Sequence, residues 1–111
     1  MEKDCVFCRI IRGEIPSQPL YKDEQVVVVR DIHPRAPVHL LLLPTQHFAT
    51  PGVESEAALG RLMAVAGEMA QREGVAEKGY RLVVNQGPDG GQEIAHLHLH
   101  LLAGRQLGTM G

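Results

Sequence analysis

The sequence has no run of basic residues, and its formal net charge is −2. It therefore lacks the cationic footprint on which general nucleic-acid binding depends. No apolar stretch approaches the ~20 residues of a membrane span. The opening residues, MEKDCVFCRII, contain neither the apolar core nor the cleavage site of a secretory signal. A cytoplasmic protein with no membrane or nucleic-acid partner is the expectation. There are only two cysteines, Cys5 and Cys8. At C-x-x-C spacing they make no secreted disulfide framework, which leaves a metal half-site and a redox pair as the alternatives. Internal repeats and low-complexity linkers are also missing. The 111 residues, 44% hydrophobic and 22% charged, fit one globular domain over 1–111 with a core of useful size.

The elements follow from local pattern. CVFCRIIRGEI reads as a short helix closed by Gly13 and a turn at Pro16. VVVVRDI (26–32) and VHLLLLP (38–44) are β-rich runs joined by HPRAP, whose two prolines mark a loop. In the segment after Thr50, Leu59, Leu62, Met63, Ala66, Met69 and Ala70 recur at helical spacing and define one long helix. Gly60, Ala64 and Gly67 form a second stripe on it. A mid-helix glycine costs about 1 kcal/mol against alanine, so the stripe points to close approach by another backbone, or else to simple tolerance. YRLVVNQ and IAHLHLHLL read as the last strands, with GPDGG as their hairpin loop. Strands in tight succession with one main helix imply an α+β domain on an antiparallel sheet.

Half of the six histidines fall within five residues, at His96, His98 and His100. On a helix, residues two apart point in nearly opposite directions. On a strand the three imidazoles share one face, while Ala95, Leu97, Leu99 and Leu101 occupy the other. Burial of that apolar face would aim the histidines into a site. The outer two start about 13 Å apart, a span that suits an extended substrate better than a single ion. A metal-scavenging strand and the polar face of an edge strand are the plainer alternatives. Beside the row, GPDGG supplies glycines that let backbone N–H groups approach a phosphate. Imidazole is both a nucleophile toward phosphorus and a proton carrier near neutral pH. Phosphoryl or nucleotidyl transfer is the chemistry these residues suit.

HLHLHLL fits the H-φ-H-φ-H-φ-φ signature and resembles the histidine triad family. CVFCRIIRGEIPS, RDIHPRAPVHLLLLPTQH, GYRLVVNQGPDGGQ and GRQLG are similar to its nucleotide-binding branch, so the resemblance spans nearly the whole chain. It implies a five-stranded antiparallel sheet with one long and one short helix, continued across a homodimer. It also implies a nucleoside phosphoramidase that needs no organic cofactor. Such an enzyme splits the P–N bond of adenosine 5′-phosphoramidates or aminoacyl-adenylate-like compounds and releases AMP through a covalent AMP-histidine intermediate. By the same resemblance His98 is the nucleophile, with its other ring N–H expected on a main-chain carbonyl near the glycine loop. His100 and Asn85 contact the phosphate, and Gly91, Gln92 and Glu93 are further nucleotide-binding positions. His39 with His96 forms a proton relay, and Asp31 holds the ribose. Phe7, Ile10, Ile32 and Leu41 clamp the base; from the residues alone these four read as core. Some relatives complete the C-x-x-C half-site with the histidine of a P-x-x-H segment and the first triad histidine. Here that set is Cys5, Cys8, His47 and His96 around a structural Zn²⁺.

Four features depart from the family pattern. Glu93 stands where relatives often carry serine or threonine, and a carboxylate there repels phosphate oxygens unless it is protonated or turned aside. Val29 and Ala95 replace common aromatics, and the C-terminal tail has no tryptophan. These bear on base and leaving-group preference rather than on His98. Competing readings are a dinucleoside polyphosphate hydrolase, a nucleotide-binding regulatory protein with incidental catalysis, and a metal-binding module that has no use for Asn85.

Overall fold

A computed structural model describes residues 5–110. Cys5 caps the first helix, α1 (Val6–Ile11), its Sγ accepting the Cys8 N–H at 3.3 Å. Gly13, at φ +78°, ends the helix: its N–H bonds the Ile10 carbonyl and that of Glu14 bonds the Arg9 carbonyl. Only glycine enters this left-handed conformation without strain. The strands are β1 (Tyr21–Lys22), β2 (Val26–Arg30), β3 (Val38–Pro44), β4 (Arg81–Val83) and β5 (Leu99–Ala103). All neighbours are antiparallel, in the order β1-β2-β3-β5-β4. The long helix, α2 (Glu56–Arg72), connects β3 to β4.

The alternation of side chains divides the sheet into two differently used faces. Val26, Val28, Leu40, Leu42, Leu99, Leu101 and Ala103 pack beneath α2 against Leu62, Val65, Ala66, Met69 and Ala70. Val27, Val29, Leu41 and Leu43 point the other way, onto Phe7 and Cys8 of α1. Because α1 has only six residues, it covers part of that second face and leaves the rest open. On the edge, Asp23 accepts hydrogen bonds from Tyr21 and Arg61, tying the β1–β2 turn to α2.

Several expectations need correction. Met63 is 54% exposed, and Val65 takes the buried place. Gly60 and Ala64 face solvent, and a Cβ added at Gly60 or Gly67 would meet nothing within 4 Å. The small-residue stripe thus packs against nothing within the described chain. The second strand stops at Arg30, so Asp31 and Ile32 belong to the loop. The last two strands are shorter than the patterns that suggested them, and no tight hairpin joins them. A long connection, 84–98, replaces it, and pairing begins only at Leu99. Side chains order this connection. Asn85 Nδ2 donates to the Gly90 carbonyl at 2.7 Å, and Gln92 Oε1 accepts the Gly87 N–H at 2.9 Å. A Cβ at Gly90 would stand 2.3 Å from the Gln86 carbonyl oxygen, so the turn requires glycine there.

Candidate active site

The open part of the sheet is the floor of a cavity of about 740 Å³. Phe7 and Ile10 form one wall, Asp31, Ile32, His33 and Arg35 a second, and Asn85, Gly91, Glu93 and Ile94 a third; Val29, His39, Leu41, His98 and His100 lie between them. The row of histidines faces this side, as parity requires, with Leu97, Leu99 and Leu101 buried behind it. Ala95 is exposed rather than packed. Ile32 is 86% exposed at the rim, so in this structure it is an edge and not yet a clamp. Gln92 does not line the cavity. Its amide braces the loop, donating to the carbonyls of Ala49 and Ile94 as well as accepting from Gly87. Phe7, Ile10, Asp31, Leu41, Asn85, Gly91 and Glu93 do line it.

His39, His96 and His98 each have one ring nitrogen fixed by a main-chain group, and His100 has one fixed by the His39 ring, which assigns the tautomers. His98 Nδ1 lies 2.6 Å from the His96 carbonyl. A carbonyl only accepts, so Nδ1 carries the proton and Nε2 keeps its lone pair. The carbonyl is that of His96, two residues back, and not one near the glycine loop. His39 Nδ1 accepts the Arg35 N–H at 3.1 Å. Its proton therefore sits on Nε2, which faces His100 Nδ1 at 3.0 Å and Asp31 Oδ2 at 3.4 Å. His100 Nδ1 in turn accepts, leaving an Nε2–H donor. The partner of His39 is thus His100, not His96, which corrects the expected relay. Asp31 also accepts the His33 N–H at 2.8 Å, which folds its carboxylate against the pair.

His96 belongs to a different cluster. Its Nε2 lies 3.1 Å from the Pro44 carbonyl and so bears the proton. Its unprotonated Nδ1 points at Cys5 Sγ (3.3 Å), Cys8 Sγ (3.5 Å) and His47 Nδ1 (3.1 Å). Cys8 Sγ is 3.2 Å from His47 Nδ1. Tetrahedral zinc, with bonds of ~2.0–2.1 Å to nitrogen and ~2.3 Å to sulfur, sets its ligands roughly 3.3–3.8 Å apart. The four atoms approach that spacing, and the Pro44 carbonyl supplies the outer hydrogen bond that orients a ligating histidine. These residues fit a metal. Asp31, His39 and His100 also cluster at ligand spacing, but they fit one poorly. A metal on His39 Nε2 would force a proton onto Nδ1, directly against the Arg35 N–H.

Sequence reasoning missed Ile94 and Leu102 as lining residues. Both are even-numbered, in phase with the histidines, so parity alone would have placed them on this face. The Arg35 N–H and the Pro44 carbonyl are backbone groups and left no sequence signal.

Comparisons with known proteins agree with this architecture. The family model described as the HIT domain matches residues 12–107. The purine nucleoside phosphoramidase of Escherichia coli (strain K12) is 48% identical over 113 aligned residues, covering 99% of this chain and 95% of that protein. A HIT family hydrolase from Legionella pneumophila superposes with a TM-score of 0.91 at 44% identity, covering 95% of this chain and 96% of that one. A histidine triad protein from Clostridium difficile reaches a TM-score of 0.95 at 36% identity, covering 100% and 99%.

Burial, then the neighbouring His98 and His39, lowers His100 from 6.5 to about 4, against the opposing pull of Asp31. In the unfolded chain the same ring titrates near 6.5. Between those values the unfolded state binds a proton that the folded state refuses, so acidification through this window destabilises the fold. In the ligand-free protein His100 should remain a neutral ring protonated on Nε2 down to about pH 4. Imidazole ¹⁵N shifts measured against pH check this, and a midpoint near 6.5 would contradict it.

Proposed function

The chain belongs to the HIT domain family, and from that premise we propose that it is a nucleoside phosphoramidase, splitting the P–N bond of purine nucleoside 5′-phosphoramidates and releasing AMP-type nucleotides. The observation that carries this reading is the 2.6 Å bond from His98 Nδ1–H to the His96 carbonyl, which turns a bare Nε2 into a cavity sized for a nucleotide. The likeness to the Escherichia coli purine nucleoside phosphoramidase supports the substrate class.

In the proposed reaction His98 Nε2 attacks the α-phosphorus in line with the P–N bond, forming an adenylyl-imidazolium as the amine departs. His100 stays neutral, its Nδ1 accepting the His39 Nε2–H, and its Nε2–H donates to a phosphate oxygen. The departing amine nitrogen takes a proton from solvent through a water held beside that ring. Water then adds to phosphorus, one of its protons returns to solvent, and the His98–phosphorus bond breaks to free AMP. The Asn85 amide and the backbone N–H groups around Gly91 stabilise the equatorial oxygens. Asp31 holds the ribose, and Phe7, Ile10, Ile32 and Leu41 enclose the base, Ile32 folding inward on binding. Gln92 acts indirectly, by bracing the glycine loop. Incubating the protein with adenosine 5′-phosphoramidate and with diadenosine polyphosphates, side by side, tests the reading through AMP release. His98→Ala should lose several orders of magnitude in turnover, as removal of a nucleophile does, while still binding AMP. Rapid quench should capture an adenylylated wild-type chain. Near-normal turnover by His98→Ala would reject the assignment, and preference for the polyphosphates would favour the dinucleotide hydrolase instead.

Cys5, Cys8, His47 and His96 are proposed to hold one structural Zn²⁺, which would anchor α1 to the triad segment. Buried cysteines held beside imidazoles in this way suit the reducing cytoplasm. Elemental analysis of protein purified without chelator should give about one zinc per chain, and Cys8→Ser should lower that ratio and the thermal midpoint together. Zinc-free protein of unchanged stability would oppose the site.

The exposed stripe Gly60, Ala64 and Gly67, with Met63 at 54% exposure beside it, supports a homodimer packed through α2 and the adjoining sheet edge. Light scattering at micromolar concentration should report twice the chain mass, and Gly60→Glu should shift it toward the monomer. A monomeric mass for the wild type would defeat the proposal.

A further inference from the structure

A second groove of about 550 Å³ adjoins the nucleotide-sized cavity, and Val6, Glu93 and Ile94 line both. The groove is walled by Val6, Ala49, Ile94 and Ala95, and its far end runs against Cys5 and His47. Of the described residues lining either space, only Asp31 and Glu93 are carboxylates. Asp31 is occupied by the His33 N–H and the His39 ring. Glu93 is exposed and makes no hydrogen bond or ion pair among the described residues. An unpaired carboxylate at the junction of a phosphate site and an apolar groove repels the phosphate. It is useful only to a ligand that brings a positive charge.

We propose that Glu93 selects leaving groups bearing a second, cationic nitrogen, whose carbon chain lies in the groove walled by Val6, Ala49, Ile94 and Ala95. The inference rests on the phosphoramidase reading and deepens it. In-line displacement sends the leaving group away from His98 Nε2. His98 is buried on the floor at 6% exposure, so the amine departs outward, toward the rim where Glu93 stands. A methylene chain leaving in that direction meets apolar side chains. An ammonium group on it comes within reach of the carboxylate. The same carboxylate repels an anionic chain, so one residue provides both attraction and exclusion. The preferred substrates are nucleoside phosphoramidates of diamines or of lysine-like side chains.

Three matched conjugates test this, each joining AMP through a P–N bond to 1,5-diaminopentane, pentylamine or 6-aminohexanoate. The readout is the ratio of kcat/KM values, so a general change in rate does not affect it. The wild type should favour the cationic over the neutral conjugate by about fivefold, the upper range for an exposed ion pair. It should disfavour the anionic one, and both biases should shrink in 0.5 M salt because the Debye length falls. In Glu93→Gln the ratios should collapse toward one, while Glu93→Asp keeps part of the bias. A wild type without preference, or a Glu93→Gln protein that keeps the full preference, overturns the role of Glu93 and leaves the phosphoramidase reading standing. Failure of the wild type to release AMP from any of the three overturns both.

Discussion

The carbonyl of His96 is the group on which the site depends. In a continuous strand it would be one more rung of a ladder, bonded to the neighbouring chain. Pairing with β3 begins only at Leu99, however, and the segment before it is held by other means. The His96 N–H closes a tight turn onto the Ile94 carbonyl, and the Leu97 N–H reaches the Phe48 carbonyl. The His96 carbonyl is thereby left for a side chain, and His98 Nδ1–H takes it at 2.6 Å. A buried carbonyl without a partner is costly, so this bond satisfies the backbone and fixes the tautomer at once. Interruption of the strand is the condition for a free Nε2.

The remaining imidazoles extend the same logic with different partners. Chemically identical rings acquire different roles because a different group claims one nitrogen of each: a backbone group for His39 and His96, and the His39 ring for His100. A donor, the Arg35 N–H, claims His39 Nδ1 and makes its Nε2 a hydrogen-bond donor. An acceptor, the Pro44 carbonyl, claims His96 Nε2 and leaves the lone pair on its Nδ1. That contrast separates two clusters of similar spacing. One is suited to a soft cation between thiolates and lone pairs. The other is a chain of oriented hydrogen bonds running from Arg35 through His39 to His100. His96 has no nitrogen left for the cavity, so on the proposed reading metal and phosphate would be held by separate residues instead of competing for one.

Parity carried most of what could be read in advance. A period of two placed His98 and His100 on one face and Leu99 and Leu101 on the other, and the structure keeps that division. Parity tells which face a residue occupies but not which neighbour it meets there. The β3–β5 register pairs His39 with Leu102 and Leu41 with His100. His39 therefore lies diagonal to His100, while His96 falls beyond the paired segment. Register is set by packing and loop length together, and neither was visible in the histidine pattern. The two residues of β1, Tyr21 and Lys22, are too few to show any period. That strand, β1, was accessible only through resemblance to a family. In α2, Val65 and Met63 lie half a turn apart, and composition alone does not decide which of two apolar residues the sheet will cover. GPDGG marked a turn correctly, but a turn motif cannot report that the residues next to it stay outside the ladder, β4 and β5 pairing only from Val83 and His100 outward.

The missing positive charge noted at the outset now has a physical account on the proposed reading. A protein that grips a phosphate polymer needs many cations, because each neutralised phosphate releases a counterion and adds affinity without regard to sequence. A protein that must hold one phosphate, and then let the product go, is better served by neutral donors placed by the fold. His100 supplies such a donor while burial keeps it uncharged, and the Asn85 amide and the N–H groups of the glycine loop supply others. Such donors carry no net charge, and once a bound nucleotide excludes water from the cavity they interact more strongly with developing charge than they would in water. They attract no distant polyanion, because a neutral dipole has little field beyond its own cavity. A net charge of −2 is therefore compatible with phosphate chemistry, and it tells against nucleic acid as a competitor for the site. The same reasoning bears on Glu93 at the rim. Of the two arginines that line the cavity, Arg30 is paired with Glu73 and only Arg35 remains, so little positive charge offsets the effect of Glu93 on whatever the phosphate carries with it.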